Sequence, residues 1–422
     1  VAVRKSLAAV VLWSVISAAF IGPGTVTTAA SAGALYQLDL LWAVAFSTVA
    51  CIVLQELSAR LTIVTGVTMG QAIIRKHGER HGRWLNFLLG GPVILGCAAY
   101  EAGNILGAVS GLQLLLPGSA QVLTFGITVI VIFVLWTDRR ETIGWIMTAL
   151  VGVMGIAFAV LAYGRPFSFF DYVEAATLPR IPAGAELLTL GLVGTTIVPY
   201  NVFLGSAVSK GQTLHLMRVG LSISVVIGGL ITMAILLAGT SVSSFTSFQE
   251  LSEALQRSLG PVGALSLGAG LFAAGFSSAI TSPFAASVIA TSVFGWDKNR
   301  QRLVWAIVVL SGFAVGISGV KPIPVILLVQ ALNGLVLPLL TAFLILLAND
   351  SEIVAKEHRP SVPYKVVLVL IFASVLVMGM HSLDKSVSAW LGLAQTHFGW
   401  ISGITFFLTA ALAYRLHRQS RN

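Results

Sequence analysis

The stretch Phe20-Ile-Gly-Pro-Gly-Thr-Val-Thr-Thr28 sets a proline between two glycines in the middle of the first long apolar run. Proline has no N–H to give a helix and its ring clashes with the preceding turn, while glycine tolerates unwound backbone. A helix running through this stretch must break. Inside a bilayer, backbone freed in this way persists only where protein or a water-filled cavity covers it. A second interruption, Thr195-Thr-Ile-Val-Pro-Tyr-Asn201, falls inside a later apolar run. Either one alone reads as a proline kink with no ligand. Two breaks at corresponding places in two halves of a chain point instead to an inverted-repeat carrier with its solute site at the breaks.

The rest of the chain supports a membrane setting. Of 422 residues, 56% are hydrophobic and 10% charged, with mean hydropathy +0.92; a soluble domain carries about 25% charged residues. About 20 apolar residues cross a bilayer, and this rule predicts twelve segments. They are 8–36, 40–65, 85–116, 120–137, 143–163, 187–209, 216–239, 262–294, 303–319, 323–348, 364–382 and 398–416. The last follows a short amphipathic stretch and is the weakest. The expectation is an all-α membrane protein with about 11–12 transmembrane helices and a single transport domain over 1–422. Its repeats would cover about 8–163 and 187–348, with additional helices over about 364–416.

The net charge of +9 is explained by where the charges fall. With the N-terminus in the cytoplasm, 19 of the 25 Lys and Arg lie on the cytoplasmic side and five on the other, Arg60 lying near the cytoplasmic end of the second segment. That asymmetry follows the positive-inside rule, predicts cytoplasmic termini in the cell (plasma) membrane, and needs no nucleic-acid partner. The longest outer connections, 164–186 and 240–261, have the Pro, Gly, Ser and Glu content of loops with short interfacial helices. Cys51 and Cys97 both sit in apolar runs, as buried inert thiols rather than a disulfide or metal pair. Arg4 and Lys5 precede the first run as in a signal peptide, but the run continues well past about 15 residues with no cleavage site, so it is expected to be a retained helix.

Ionisable groups inside a membrane mark function or a tight structural pair. Two acids lie well inside segments. Glu101 sits in Tyr100-Glu-Ala-Gly-Asn-Ile-Leu-Gly107, with Asn104 one turn on; it reads either as a proton or cation relay or as a structural acid bonded to neighbouring polar groups. Glu56 stands four residues before Arg60, a spacing that favours a structural ion pair. The seven histidines fall in connections or near segment ends and carry no role. With no nucleophile–base pair or catalytic metal cluster in the apolar runs, no enzyme is expected, and no cofactor.

Several stretches resemble the NRAMP family of proton-coupled divalent-metal transporters, which has the LeuT-type 5+5 inverted-repeat fold with broken first and sixth helices. They are Leu54-Gln-Glu-Leu-Ser-Ala-Arg-Leu-Thr-Ile-Val-Thr-Gly66, Gly194-Thr-Thr-Ile-Val-Pro-Tyr-Asn-Val-Phe-Leu-Gly-Ser206, Gly270-Leu-Phe-Ala-Ala-Gly-Phe-Ser-Ser278, and Gln330 with Leu337-Pro338. The resemblance implies that fold over the first ten segments. It also implies a departure. The family's first-helix motif is Asp-Pro-Gly-Asn, whose acid and amide bind metal; Gly22, Pro23, Gly24 and Thr25 stand there. Its sixth-helix motif is Met-Pro-His, and Val198, Pro199 and Tyr200 stand there. A second family histidine corresponds to Gly205, and the third-helix acid pair is reduced to Glu101 with Asn104.

A dehydrated transition metal needs N, O or S ligands and neutralised charge, and the breaks offer neutral groups. The free N–H groups after Gly24 suit an anion, and Thr25 is read as an N-cap-like residue beside the break. The expected function is therefore secondary transport of a small organic substrate, carboxylate or amino-acid-like, coupled to protons. Its site would comprise Gly22, Gly24, Thr25, Thr28, Thr196, Val198, Tyr200, Asn201 and Gln330, with Glu101 and Asn104 in coupling and no metal ligand. The alternatives are divalent-cation transport (Mn²⁺ or Mg²⁺) and a membrane sensor that binds without transporting. The expected partners are the small-molecule or ion substrate and the lipid bilayer.

Overall fold

A computed structural model describes residues 2–137, 139–163, 165–391 and 398–421. These form sixteen α-helices and one 3-10 turn, with no strand among the described residues. The first apolar run is split into α1 (Ala2–Phe20) and α2 (Pro23–Tyr36), bent by 61° at the break. The helices α3 (Leu41–Thr65), α4 (Met69–Leu115), α5 (Ala120–Trp136) and α6 (Arg140–Ala162) follow. After the short α7 (Phe169–Thr177), the second interrupted run gives α8 (Glu186–Thr196) and α9 (Pro199–Val208). The rest are α10 (Leu214–Gly239), α11 (Phe248–Leu259), α12 (Pro261–Phe294), α13 (Lys298–Ile317), α14 (Pro322–Ala348), α15 (Val362–Leu391) and α16 (Phe398–Arg421).

Each of the twelve apolar segments meets a helix or a broken pair. Among the described residues, nine helices are long and apolar enough to cross a membrane, ten counting the bent pair. The helix α5, at 17 residues, and the stretch Val336–Ala348 of α14 are shorter apolar helices. One boundary differs from expectation. The helix α4 starts at Met69, under a capping box of Thr68 and Gln71, and includes one non-helical residue, Gly78 (φ 73°, ψ 168°). Its first turn buries Met69, Ala72 and Ile73, but the turns that follow carry Arg75, Lys76, Glu79, Arg80 and Arg83 and are too polar for an apolar window to register. The long connections do hold short helices, α7, begun by a Ser168–Asp171 capping box, and α11, begun by Ser247.

Small residues let the helix axes approach closely. The helix α12 lies along α4, with Gly275 against the Ala108 backbone and Gly111 against Phe272. The helix α2 crosses α10 where Gly239 meets Ala30 and Gly33 meets the Leu236 carbonyl. Large apolar side chains such as Leu95, Phe125, Phe133, Ile156 and Phe406 point outward, as in a protein that faces lipid. Among the described residues, some polar contacts tie together segments that the charge pattern places on one side. Lys76 pairs with Asp350 at 3.1 Å and Glu352 at 2.7 Å on the basic side. On the other, Trp42 Nε1 donates to the Arg180 carbonyl at 2.7 Å and Arg165 to Ser241 Oγ.

Candidate functional site

The two breaks are built alike. At the first, Ile21 and Gly22 are unwound, Gly22 is the extended N-cap of α2 (φ −109°, ψ −178°) without a side-chain cap, and Pro23 is the first helical residue. The first backbone bond of α2 runs from Val26 N to Gly22 O at 3.0 Å, which leaves the N–H groups of Gly24 and Thr25 with no partner inside the helix. At the second, Val198 is the extended N-cap of α9, again without a side-chain cap, and Pro199 is the first helical residue. The start of α2 thus presents two uncapped N–H groups, whereas at α9 Asn201 N donates to the Val198 carbonyl at 3.0 Å and the N–H of Tyr200 is left. Both ends carry the partial positive charge of a helix N-terminus.

The opposite polarity, at the C-terminal end of α1, is covered by the chain's own donors. The Ala18 carbonyl accepts from Ser278 Oγ at 3.2 Å and Ser277 Oγ at 3.5 Å. The Ala19 carbonyl accepts from the Tyr200 hydroxyl at 2.7 Å, and the Phe20 carbonyl from Thr25 Oγ1. One turn earlier, the Ile16 carbonyl accepts from Asn201 Nδ2 at 3.5 Å. The second break therefore clamps the first through Tyr200 and Asn201, bringing Gly22, Gly24, Thr25, Val198, Tyr200 and Asn201 together.

Glu101 and Asn104 border this junction. A Cβ built on Gly22 lies 2.8 Å from Ser278 Oγ and 3.7 Å from Asn104 Oδ1. Asn104 Nδ2 donates to Glu101 Oε2 at 3.4 Å. Glu101 is fully buried, its Oε1 has no hydrogen-bond partner, and Gly312 of α13 leaves the room in which its side chain lies. The ring of Tyr100 meets that of Tyr200 edge to face at 5.8 Å, and the buried Tyr100 hydroxyl has no partner.

Other expectations change. Thr25 is not the cap of α2: Pro23 starts the helix earlier, so Gly22 takes that place and the Thr25 hydroxyl bridges back across the break. Thr196 back-bonds to the Leu192 carbonyl of its own helix at 3.1 Å. Thr28 lies a turn beyond the break, packed where a side chain at Gly191 would go, its Oγ1 without a partner. Val198 offers backbone only. The side chain of Gln330 lies outside the described residues. Glu56 pairs with Arg60 as the spacing predicts, at 2.6 Å.

Four polar residues at or near the breaks escaped sequence reasoning. Ser277 and Ser278 cover Ala18, and Tyr100 flanks Tyr200. Gln55, whose buried Oε1 has no partner, fills the space a side chain at Gly205 would need. A polar amide inside an apolar helix was the available signal for Gln55. Among the described residues, no group of three or more His, Cys, Asp and Glu side chains is placed to hold a metal ion.

A separate cavity of about 420 Å³ opens beyond the end of α2, between the 35–39 connection and α7. Its charged lining is Asp39, Asp171, Glu174 and Arg180, of which Arg180 and Glu174 pair at 2.6 Å. The Ser168 backbone N–H holds the Asp171 carboxyl below the usual range.

The fold and sequence have counterparts among known transporters. The chain is 28% identical over 400 residues to a divalent metal cation transporter MntH of Verminephrobacter eiseniae, covering 88% of this chain and 89% of that one. It is 25% identical over 388 residues to a divalent metal cation transporter MntH of Caldanaerobacter subterraneus, covering 86% and 90%. A mutant form of the Eremococcus coleocola manganese transporter superposes with a TM-score of 0.78 at 18% identity, covering 98% of this chain and 94% of that one. Mhp1, a nucleobase-cation-symport-1 family transporter in a closed conformation with bromovinylhydantoin bound, superposes with a TM-score of 0.60 at 14% identity, covering 97% and 92%. The family model of natural resistance-associated macrophage protein-like (Nramp) proteins matches residues 14–383, and the chain belongs to that transporter family.

Proposed function

We propose that this Nramp-family transporter is a secondary carrier whose solute is a small organic anion, bound at the junction of the two breaks. The observation that carries this reading is the polarity of the site. The uncapped N–H groups at the starts of α2 and α9 suit a carboxylate. The α1 carbonyls a bare cation would need already accept bonds from Ser278, Tyr200 and Thr25. On the correspondence drawn from the family motifs, Gly22, Thr25 and Val198 stand where metal ligands would be. The buried carboxyl of Glu101 supports a role in proton coupling, with Asn104 beside it. The two matching breaks support repeats over about 8–163 and 187–348 within one domain, and the charge asymmetry supports cytoplasmic termini at the cell membrane.

The test is counterflow in proteoliposomes, preceded by thermal shift in detergent, because a ligand that binds the folded state raises apparent stability. A saturable shift and exchange with one organic acid, with none for Mn²⁺ or Mg²⁺, supports the reading. Shifts and flux with metal ions alone overturn it.

Divalent-cation transport is the second reading. The relatives named as divalent metal cation transporters favour it. So does the outer cavity, where three carboxylates face one guanidinium, a balance that concentrates cations. The amide oxygens of Asn104 and Asn201 would serve as neutral ligands to a hard, partly hydrated ion. This reading predicts saturable Mn²⁺ or Mg²⁺ uptake, and a flat result removes it.

A further inference from the structure

On the organic-anion reading above, we infer that the solute carries an N–H donor beside its carboxylate, as an amino acid or an amide-bearing acid does, and that Asn104 accepts that donor.

The orientation of the Asn104 amide is the starting point. Its Nδ2 faces the Glu101 carboxyl, 3.4 Å from Oε2, an arrangement in which the nitrogen donates and the carboxylate accepts. Its Oδ1 is the end near the break, 3.7 Å from a Cβ built on Gly22. The residue is 5% exposed, so Oδ1 is an acceptor held in a nearly closed site next to the uncapped start of α2. Glu101 acts here as a positioning residue: it fixes which end of the amide faces the solute.

A second amide repeats the pattern. Asn201 gives its Nδ2 to the Ile16 carbonyl at 3.5 Å, while its Oδ1 is fully buried and has no partner. A buried acceptor left unpaired is costly. Asn201 stands two residues after Pro199 at the second break, so this unpaired acceptor and the free N–H groups of α2 belong to the two breaks that Tyr200 joins, and together they call for a ligand with both polarities.

A simple carboxylate satisfies the half-helix N–H groups but turns its lone pairs toward these amide oxygens. A bare cation satisfies the oxygens and is repelled by the N–H ends. A solute with a carboxylate and an N–H group on the neighbouring carbon meets both at once.

The experiment is a paired thermal-shift and binding panel on the purified full chain. Each common amino acid is set against its deamino counterpart, for example alanine against propionate, with Mn²⁺ as a separate arm. The expected result is a saturable shift with one amino member and at least ten-fold weaker binding of its deamino partner. In Asn104→Leu that preference should collapse to less than two-fold. Equal binding of amino and deamino partners in the unmodified chain overturns the inference while leaving the organic-anion reading intact. A preference that survives Asn104→Leu overturns the assignment to Asn104. Shifts with Mn²⁺ alone, or with no organic member, overturn the organic-anion reading itself. The comparison in the unmodified chain decides the donor question even if the variant fails to fold.

Discussion

The hydroxyl of Tyr364 donates to Glu56 Oε2 at 2.8 Å across 308 residues of sequence. The same carboxylate takes Arg60 at 2.6 Å and, through Oε1, Arg218 at 3.0 Å, so one nearly buried acid ties α3, α10 and α15 together. Arg60 also stacks over the Tyr364 ring at 4.9 Å. Removing the hydroxyl in Tyr364→Phe deletes a bond to a charged acceptor, worth roughly 1.5–3 kcal/mol. Arg218 is 52% exposed, and Arg218→Ala should cost less than about 1 kcal/mol. Glu56→Ala strands two guanidiniums and should exceed both. Thermal unfolding in detergent gives the order. An Arg218→Ala loss equal to that of Glu56→Ala would contradict a cluster centred on Glu56.

Gly107 of α4 leaves the hollow into which the Pro23 ring packs, and a Cβ there would stand 2.3 Å from Pro23 Cβ and 2.2 Å from its Cγ, far inside contact distance. A proline ring has no far rotamer to retreat into, so Gly107→Ala must push the first break away from α4. Overpacking of this kind costs about 1–3 kcal/mol, and here it displaces the start of α2 as well. Gly126→Ala is the matched control, because nothing lies within 4 Å of its Cβ position. Gly107→Ala should lower the melting temperature and abolish ligand-induced stabilisation; Gly126→Ala should do neither.

The parts of the site legible in the sequence are those set by local chemistry. Gly22-Pro23-Gly24 and Val198-Pro199 break helices through their own missing N–H groups and ring sterics, so both breaks fall where they read. The Glu56–Arg60 pair follows from helical spacing alone. Arg218 and Tyr364, which complete that cluster, come from distant helices and leave no trace in a local pattern. The same holds for Ser278 on Ala18 and Tyr200 on Ala19: cover for the α1 carbonyls depends on how α9 and α12 pack on α1. The early turns of α4 were hidden for a different reason. Only one turn, Met69 with Ala72 and Ile73, is buried there; residues such as Arg75 and Glu79 after it are exposed, and a single apolar turn is too short a period to read.

Asp171 gives a pH prediction for the start of α7. The Ser168 N–H donates to its carboxylate at 2.6 Å, and the bond holds the acid below its ordinary range. A carboxyl whose folded value is lowered contributes stability above its unfolded value, about 3.9, and loses it as pH falls through the folded value. The start of α7 should therefore keep its amide protection from neutral pH down to about 4 and fray only below that. In Asp171→Asn the amide oxygen can still accept from Ser168 but does not titrate, so protection should be lower at neutral pH and flat into acid. Hydrogen exchange over 169–177, corrected for intrinsic rates, checks both. A wild-type loss beginning about two pH units higher, well above the carboxylate range, would mean another group controls the helix.

Gly22→Asp tests the two readings of the site against each other. The new Cβ would stand 2.8 Å from Ser278 Oγ, so the serine must rotate and give up its 3.2 Å bond to the Ala18 carbonyl, leaving that oxygen with only the long 3.5 Å contact from Ser277. The added carboxylate would also occupy the uncapped start of α2 and meet Asn104 Oδ1, an acceptor, at close range. Both effects oppose an organic anion and both favour a cation, which would bridge the carboxylate, the amide oxygen and the Ala18 carbonyl. Gly22→Asp should therefore abolish stabilisation by the organic ligand, and Gly22→Asp with Ser278→Ala should gain a saturable Mn²⁺ shift that the unmodified chain lacks. Titrating all three proteins with Mn²⁺ decides the point. If the unmodified chain already shows the full Mn²⁺ shift and Gly22→Asp leaves it unchanged, the neutral donors at the breaks suffice for a metal, and the organic-anion reading falls.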